Sequence, residues 1–182
     1  MNFKMIVGHY IATYRPLKQA ELDWFRRQPS LEAAINMATR AENERGARYS
    51  HQYRITQKAI QEANRLLLEN HDELKSCKSF HDLWLLIKSI LGVVSGIGEL
   101  YIYDTSLRIG AYLGLLPERV YLHAGTRAGA KAFGISSRHK EWIEVDELPN
   151  TLGELPPYEV EDILCIYKDQ KDKDQVATRK RC

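Results

Sequence analysis

Asp104, Tyr121 and His123 are residue types that can move protons. A carboxylate within about 3 Å of an imidazole tunes it as a general base. Gathered in one cleft, these three would make a small enzyme acting on a nucleotide or a nucleobase. Asp104 and Arg108 are also four residues apart, the spacing of an ion pair on one helix face. A second set suits anions rather than proton transfer. His123-Ala124-Gly125-Thr126-Arg127 reads as a helix start with small residues and open amides. Arg127 and Lys131 then share a face, with Arg119, Arg138, His139 and Lys140 close in sequence. A third set is Arg45, Arg48, His51 and Arg54, interleaved with Tyr49 and Tyr53. Arginines there can hold phosphates while tyrosines stack on bases, although Arg40 can instead pair with Glu44 inside its own helix.

Several chemistries lack their residues. His51, His71, His81 and His123 have no cysteine or acid at ligand spacing, so no metal site is expected. No phosphate-binding Walker loop, serine elbow or dinucleotide fingerprint occurs, so no cofactor is expected. Three scattered cysteines make no disulfide framework and point to a reduced, cytoplasmic setting. No apolar run reaches the ~18 residues of a membrane span, and Lys4 and His9 interrupt the start too early for a signal peptide.

The net charge of +2 over 182 residues conceals its arrangement. Residues 105–140 carry a net +5, and residues 141–162 hold eight acidic residues and no basic one. Such blocks either meet a charged partner or fold against each other.

The elements that must position these groups read as helices. An all-α domain over 1–167 followed by a flexible charged tail over 168–182 is expected. Pro16 opens a helix over about 17–27, with Leu17, Leu22 and Phe25 inward. Ser30, Thr56 and Ser79 each suit an N-cap, because a hydroxyl accepts from first-turn amides. The apolar stripes behind them follow i, i+3, i+4 spacing: Leu31, Ala34, Ile35, Ala38; then Ala59, Ile60, Ala63, Leu67; then Leu83, Trp84, Ile87, Leu91. The second helix is expected to run to Gly46, and residues 46–55 to form a polar loop. Further helices are expected over about 98–113, 123–133 and 157–168, with 141–157 as an acidic strap.

Between two of these helices lies Leu91-Gly92-Val93-Val94-Ser95-Gly96-Ile97-Gly98. Gly96 and Gly98 permit a tight turn with its amides outward at a helix N-terminus, where a phosphate can sit. Over residues 79–135 the pattern resembles the helix-hairpin-helix DNA glycosylase superfamily, with the hairpin at about 80–113. Arg119-Val120-Tyr121-Leu122-His123-Ala124-Gly125 stands where that family has its catalytic loop, and Phe133-Gly134-Ile135 fits its rhythm. The resemblance implies a helical body that grips nucleic-acid backbone. It also marks departures. Tyr121 occupies the place of the family's catalytic aspartate, and Leu100 that of the lysine nucleophile of bifunctional members. The four clustered cysteines of iron–sulfur members are absent. Glycosylase chemistry is therefore not expected. The run from Gly96 to Arg127 also resembles an uncharacterised group of bacterial and phage proteins, which implies no activity.

Three readings stand at this point. The first is nucleic-acid binding through the amides of Gly96 and Gly98 with Arg127, Lys131, Arg45, Arg48, His51 and Arg54. The second is an enzyme using Asp104, His123 and Tyr121. The third is a protein-interaction module that offers its acidic strap to a partner.

Overall fold

The computed structural model describes residues 3–169, so residues 170–182 of the expected tail lie outside the described residues. In chain order the helices are α1 Phe3–Thr13, α2 Arg15–Arg26, α3 Leu31–Arg40, α4 Gln57–Glu69, α5 His71–Ser76, α6 Phe80–Leu91 and α7 Glu99–Leu113. After the two-residue strand β1, Val120–Tyr121, come α8 Ala124–Phe133 and the second strand β2, Trp142–Ile143. Helices α9 Asn150–Gly153 and α10 Pro157–Ile166 complete the described residues. The fold is all-α apart from this one antiparallel strand pair, in which Val120 faces Ile143 and Tyr121 faces Trp142. No described helix is long and apolar enough to cross a membrane.

The chain divides into two compact units, a central one of residues 17–116 and a terminal one made of residues 1–16 with the segment from 117 onward. In the central unit the expected caps are present. Ser30 accepts from the amide of Ala33, Thr56 from Ala59 and Ser79 from Asp82. The stripes behind them form the core, with Ala34, Ile35, Ala63, Leu67, Leu83 and Ile87 fully buried. Leu17 is 68% exposed rather than inward. It lies five residues before Leu22, well round the helix from the Leu22–Phe25 stripe. Helix α3 stops at a left-handed Ala41 instead of running to Gly46. The Asn43 side chain accepts from the amides of Arg45 and Ala47, and so builds a turn that competes with another helical turn.

Helix α7 is the axis of the central unit. Every residue from Tyr101 to Ala111 is buried, including Asp104, Thr105, Ser106 and Arg108. Polar groups placed there need partners inside the protein.

The terminal unit has its own core. Ile6, Val7 and Tyr10 from α1 join Val120, Leu122, Ile143 and Leu152, and Val160, Ile163 and Leu164 from α10. Helices α8 and α10 approach very closely, because Gly125 and Gly129 present no side chain. The acidic residues of α10 are spoken for locally. Arg15 makes a two-point contact with Glu159, at 2.6 Å from Nη2 and 2.9 Å from Nε, and the Tyr10 hydroxyl donates to Asp162 at 2.8 Å.

Candidate functional site

The densest polar cluster in the central unit surrounds Asp104 on α7. One carboxylate oxygen, Oδ2, accepts from Nε2 of His51 at 2.9 Å and from the side-chain amide of Gln52. The same amide's oxygen accepts from Arg108 Nη1 at 3.2 Å. Gln52 thereby links the acid to the base, and the two contacts fix which end of its amide points where. Arg108 donates through Nε to Glu21 at 3.0 Å, and its guanidinium lies 4.2 Å from the centre of the Tyr49 ring. Lys18 lies 3.5 Å from Glu21 on the other side.

This network is charged and buried, which is costly unless every charge is compensated. Burial pushes the Asp104 carboxyl up, but the His51 hydrogen bond and the Arg108 charge outweigh it and hold the group below its ordinary value. Burial likewise acts against ionised Glu21, and the charges of Lys18 and Arg108 prevail. For Arg108 burial disfavours the cation, while Asp104 and Glu21 lift its pKa above the usual arginine value. At neutral pH all three groups are therefore ionised.

The cluster ends at His51, whose side chain is 47% exposed. A short 3-10 turn, Ser50–Gln52, sends Gln52 inward and leaves His51 at the surface. With Nε2 directed at Asp104, Nδ1 makes no hydrogen bond among the described residues. A carboxylate–imidazole pair of this kind fixes the orientation and tautomer of the ring. Around it the loop exposes Arg45, Tyr53 and Arg54, with the Arg54 guanidinium 5.4 Å from the Tyr53 ring centre. Arg48 is tied down instead, to the carbonyl of Ile55 and the side chain of Gln57, and it braces the loop.

The turn between α6 and α7 belongs to the same unit and is open. Gly96 has φ +87°, and Gly98 caps α7 with no side-chain hydrogen bond. No heavy atom lies within 4 Å of where a β-carbon would stand at either glycine. The first-turn amides of α7 are thus approachable from outside. The rise from Gly98 to Asp104 along α7 is about 9 Å.

The terminal unit holds the other sequence-derived candidates. Tyr121 is 1% exposed and sits in the strand pair, its ring 6.4 Å from that of Trp142. His123 is the N-cap of α8, its Nδ1 accepting from Gly125 at 3.2 Å and its Nε2 lying 2.6 Å from Glu161. Arg127 donates to the carbonyl of Lys140, and Lys131 is exposed. Asp104 thus finds its imidazole in His51, and His123 its carboxylate in Glu161. The acidic strap also meets the basic block, through Arg119 with Glu144 at 3.2 Å and Lys140 with Glu147.

Sequence reasoning counted His51 among the loop cations and did not see it as the partner of Asp104. No local signal pairs Glu21, Tyr49 or Gln52 with α7, although Tyr49 lies in the same loop set as His51. These residues are 52 to 87 positions from their partners on α7, beyond any local spacing rule.

No protein-family profile, curated protein or solved structure matches this chain. Its function is therefore argued from geometry.

Proposed function

We propose that this chain binds nucleic acid through its central unit, in the manner of a helix-hairpin-helix protein without glycosylase chemistry. The observation that carries this is the pairing, on one helix, of an open glycine turn with a loop anchored by a buried charge network. The amides after Gly96 and Gly98 suit a backbone phosphate. About 9 Å further along α7, under three base steps at 3.4 Å each, the network holds His51 beside Arg45, Tyr53 and Arg54. A buried ionic network contributes little net stability, and its use here is to keep that loop in place. Arg127 and Lys131 on α8 are a further contact set on the terminal unit. Reduced thiols and cytoplasmic residence accord with this role.

Replacing both Arg45 and Arg54 by alanine should weaken binding to a labelled duplex or single strand. The slope of log affinity against log salt should fall by about 2, one phosphate contact for each arginine. Fluorescence anisotropy across a salt series measures it. An unchanged slope would remove the loop from the interface, and the same outcome for R127A/K131A would remove α8.

A second reading follows from the His51–Asp104 pair itself. An imidazole held by a buried carboxylate with its outer nitrogen accessible is equipped as a general base. The enzyme reading therefore moves from Asp104 with His123 and Tyr121 to Asp104 with His51. If the chain turns over a nucleic acid or nucleotide, His51→Ala should abolish product formation on a gel while leaving binding within a few-fold. Turnover that survives H51A would end this second reading.

A further inference from the structure

His123, Glu161 and Cys165 form a second cluster, in the terminal unit, that nucleic-acid binding does not use. One ligating atom from each lies within 4.8 Å of the other two. His123 is fixed as the cap of α8, and Glu161 and Cys165 are one turn apart on the same face of α10. The His123 and Glu161 side chains are 3% and 5% exposed, while Cys165 is half-buried.

Gly125 matters here. A β-carbon at this position would stand 2.9 Å from the Cys165 sulfur and 3.0 Å from Cε1 of His123. Glycine therefore lets the Cys165 thiol and the His123 ring pack closely over the α8 backbone, where any side chain would push them away. An imidazole, a carboxylate and a thiol converging from two rigid helices are the donor set of a divalent zinc-type ion. Three protein ligands leave a fourth position for water.

We propose that His123, Glu161 and Cys165 bind one zinc-type divalent ion. The proton account is simple. The thiol loses one proton to solvent, and Glu161 binds as the carboxylate. The imidazole shifts its proton from Nε2 to Nδ1 and gives its Nε2 lone pair to the metal. The 3.2 Å contact from the Gly125 amide to Nδ1 is surrendered. The His123–Glu161 hydrogen bond is replaced as both groups turn to the ion, which must push them apart from 2.6 Å. The contacts of His123 with Gly125 and Glu161 are thus exchanged for bonds to the ion. Because a proton is released, affinity should fall about tenfold for each pH unit below the thiol's titration.

The test uses the full-length protein, kept reduced and stripped of metal, titrated with cobalt(II). The expected result is an intense near-ultraviolet sulfur-to-cobalt charge-transfer band, saturating at one equivalent and displaced by zinc(II). C165S should lose the band while keeping its helical circular dichroism. H123A and E161Q disturb the cap of α8 and a buried hydrogen bond, so the wild-type titration and C165S decide the matter. A folded wild-type protein with no charge-transfer band overturns the proposal. So does a band that persists in C165S, because the sulfur would then be Cys77 or Cys182.

Discussion

Gly129→Ala is expected to destabilise the terminal unit by about 3 kcal/mol, at the upper end of overpacking costs. A β-carbon at Gly129 would stand 1.9 Å from the carbonyl oxygen of Leu164 and 2.5 Å from its carbon. These are backbone atoms of α10, so no rotamer change relieves the clash. The helices must separate, and Ile163 and Leu164 must leave a core in which both are fully buried. Gly8→Ala is the matched control. It lies inside α1 with nothing within 4 Å of its β-carbon position. Alanine there should stabilise by about 0.5–1 kcal/mol, by removing the entropy cost of glycine in a helix. Urea unfolding followed at Trp142, which reports on the terminal unit, checks both. Equal midpoints for the two variants would contradict the packing assigned to α8 and α10.

Arg108→Met has the second large expected effect, a loss of about 4 kcal/mol in the central unit. Removing one partner of a buried ion pair leaves the other charge uncompensated. Here it strands two, Asp104 and Glu21, and leaves the Gln52 amide oxygen without its donor. Adding D104N to R108M should cost less than the sum of the two single changes, because the two side chains share one network.

The pH dependence follows from the directions of the shifts. In the native protein both carboxylates are held below their ordinary values of 3.8 for Asp104 and 4.5 for Glu21. Their contribution is present above those values and is lost as pH falls through the lower folded ones. In R108M one depressing charge is gone, so both carboxyls move up from their wild-type positions, while the His51 contact at Asp104 and the Lys18 contact at Glu21 remain. Protonation then relieves the variant as the medium is acidified. The stability gap between wild type and R108M should therefore narrow from pH 7 towards pH 4. A gap that is constant with pH would mean that Asp104 and Arg108 do not interact as described.

What the sequence reveals here depends on how local the cause is. Ser30, Thr56 and Ser79 announce their helices because a cap acts over three residues. The end of α3 was misplaced because Asn43 offers its own acceptor to the following amides, and Gly46 looked like the stronger stop. Helix α1 was not expected at all. Its apolar residues gain a partner surface from α9 and α10, more than a hundred positions away. The adjacent basic and acidic blocks were visible as charge, and Arg119–Glu144 and Lys140–Glu147 are where they meet. Which acid answers which base was not legible. Asp104 stood out as a polar residue on an apolar helix, but its partner His51 is 53 positions away and looked like one more loop cation. Likewise no spacing rule joins His123 to Glu161, which is 38 positions away.

The central claim is that the α6–α7 turn and the His51 loop hold nucleic-acid backbone. Backbone amide resonances of the full-length protein, followed by NMR during titration with a short duplex and with a single strand at low salt, test it most directly. The expected result is a saturable shift of the Gly96, Gly98 and Glu99 amides together with those of His51 and Tyr53. Leu152, fully buried in the terminal unit, should stay unmoved, and added salt should reverse the shifts. Titration that leaves Gly96, Gly98 and Glu99 unperturbed while the protein remains folded would contradict the claim.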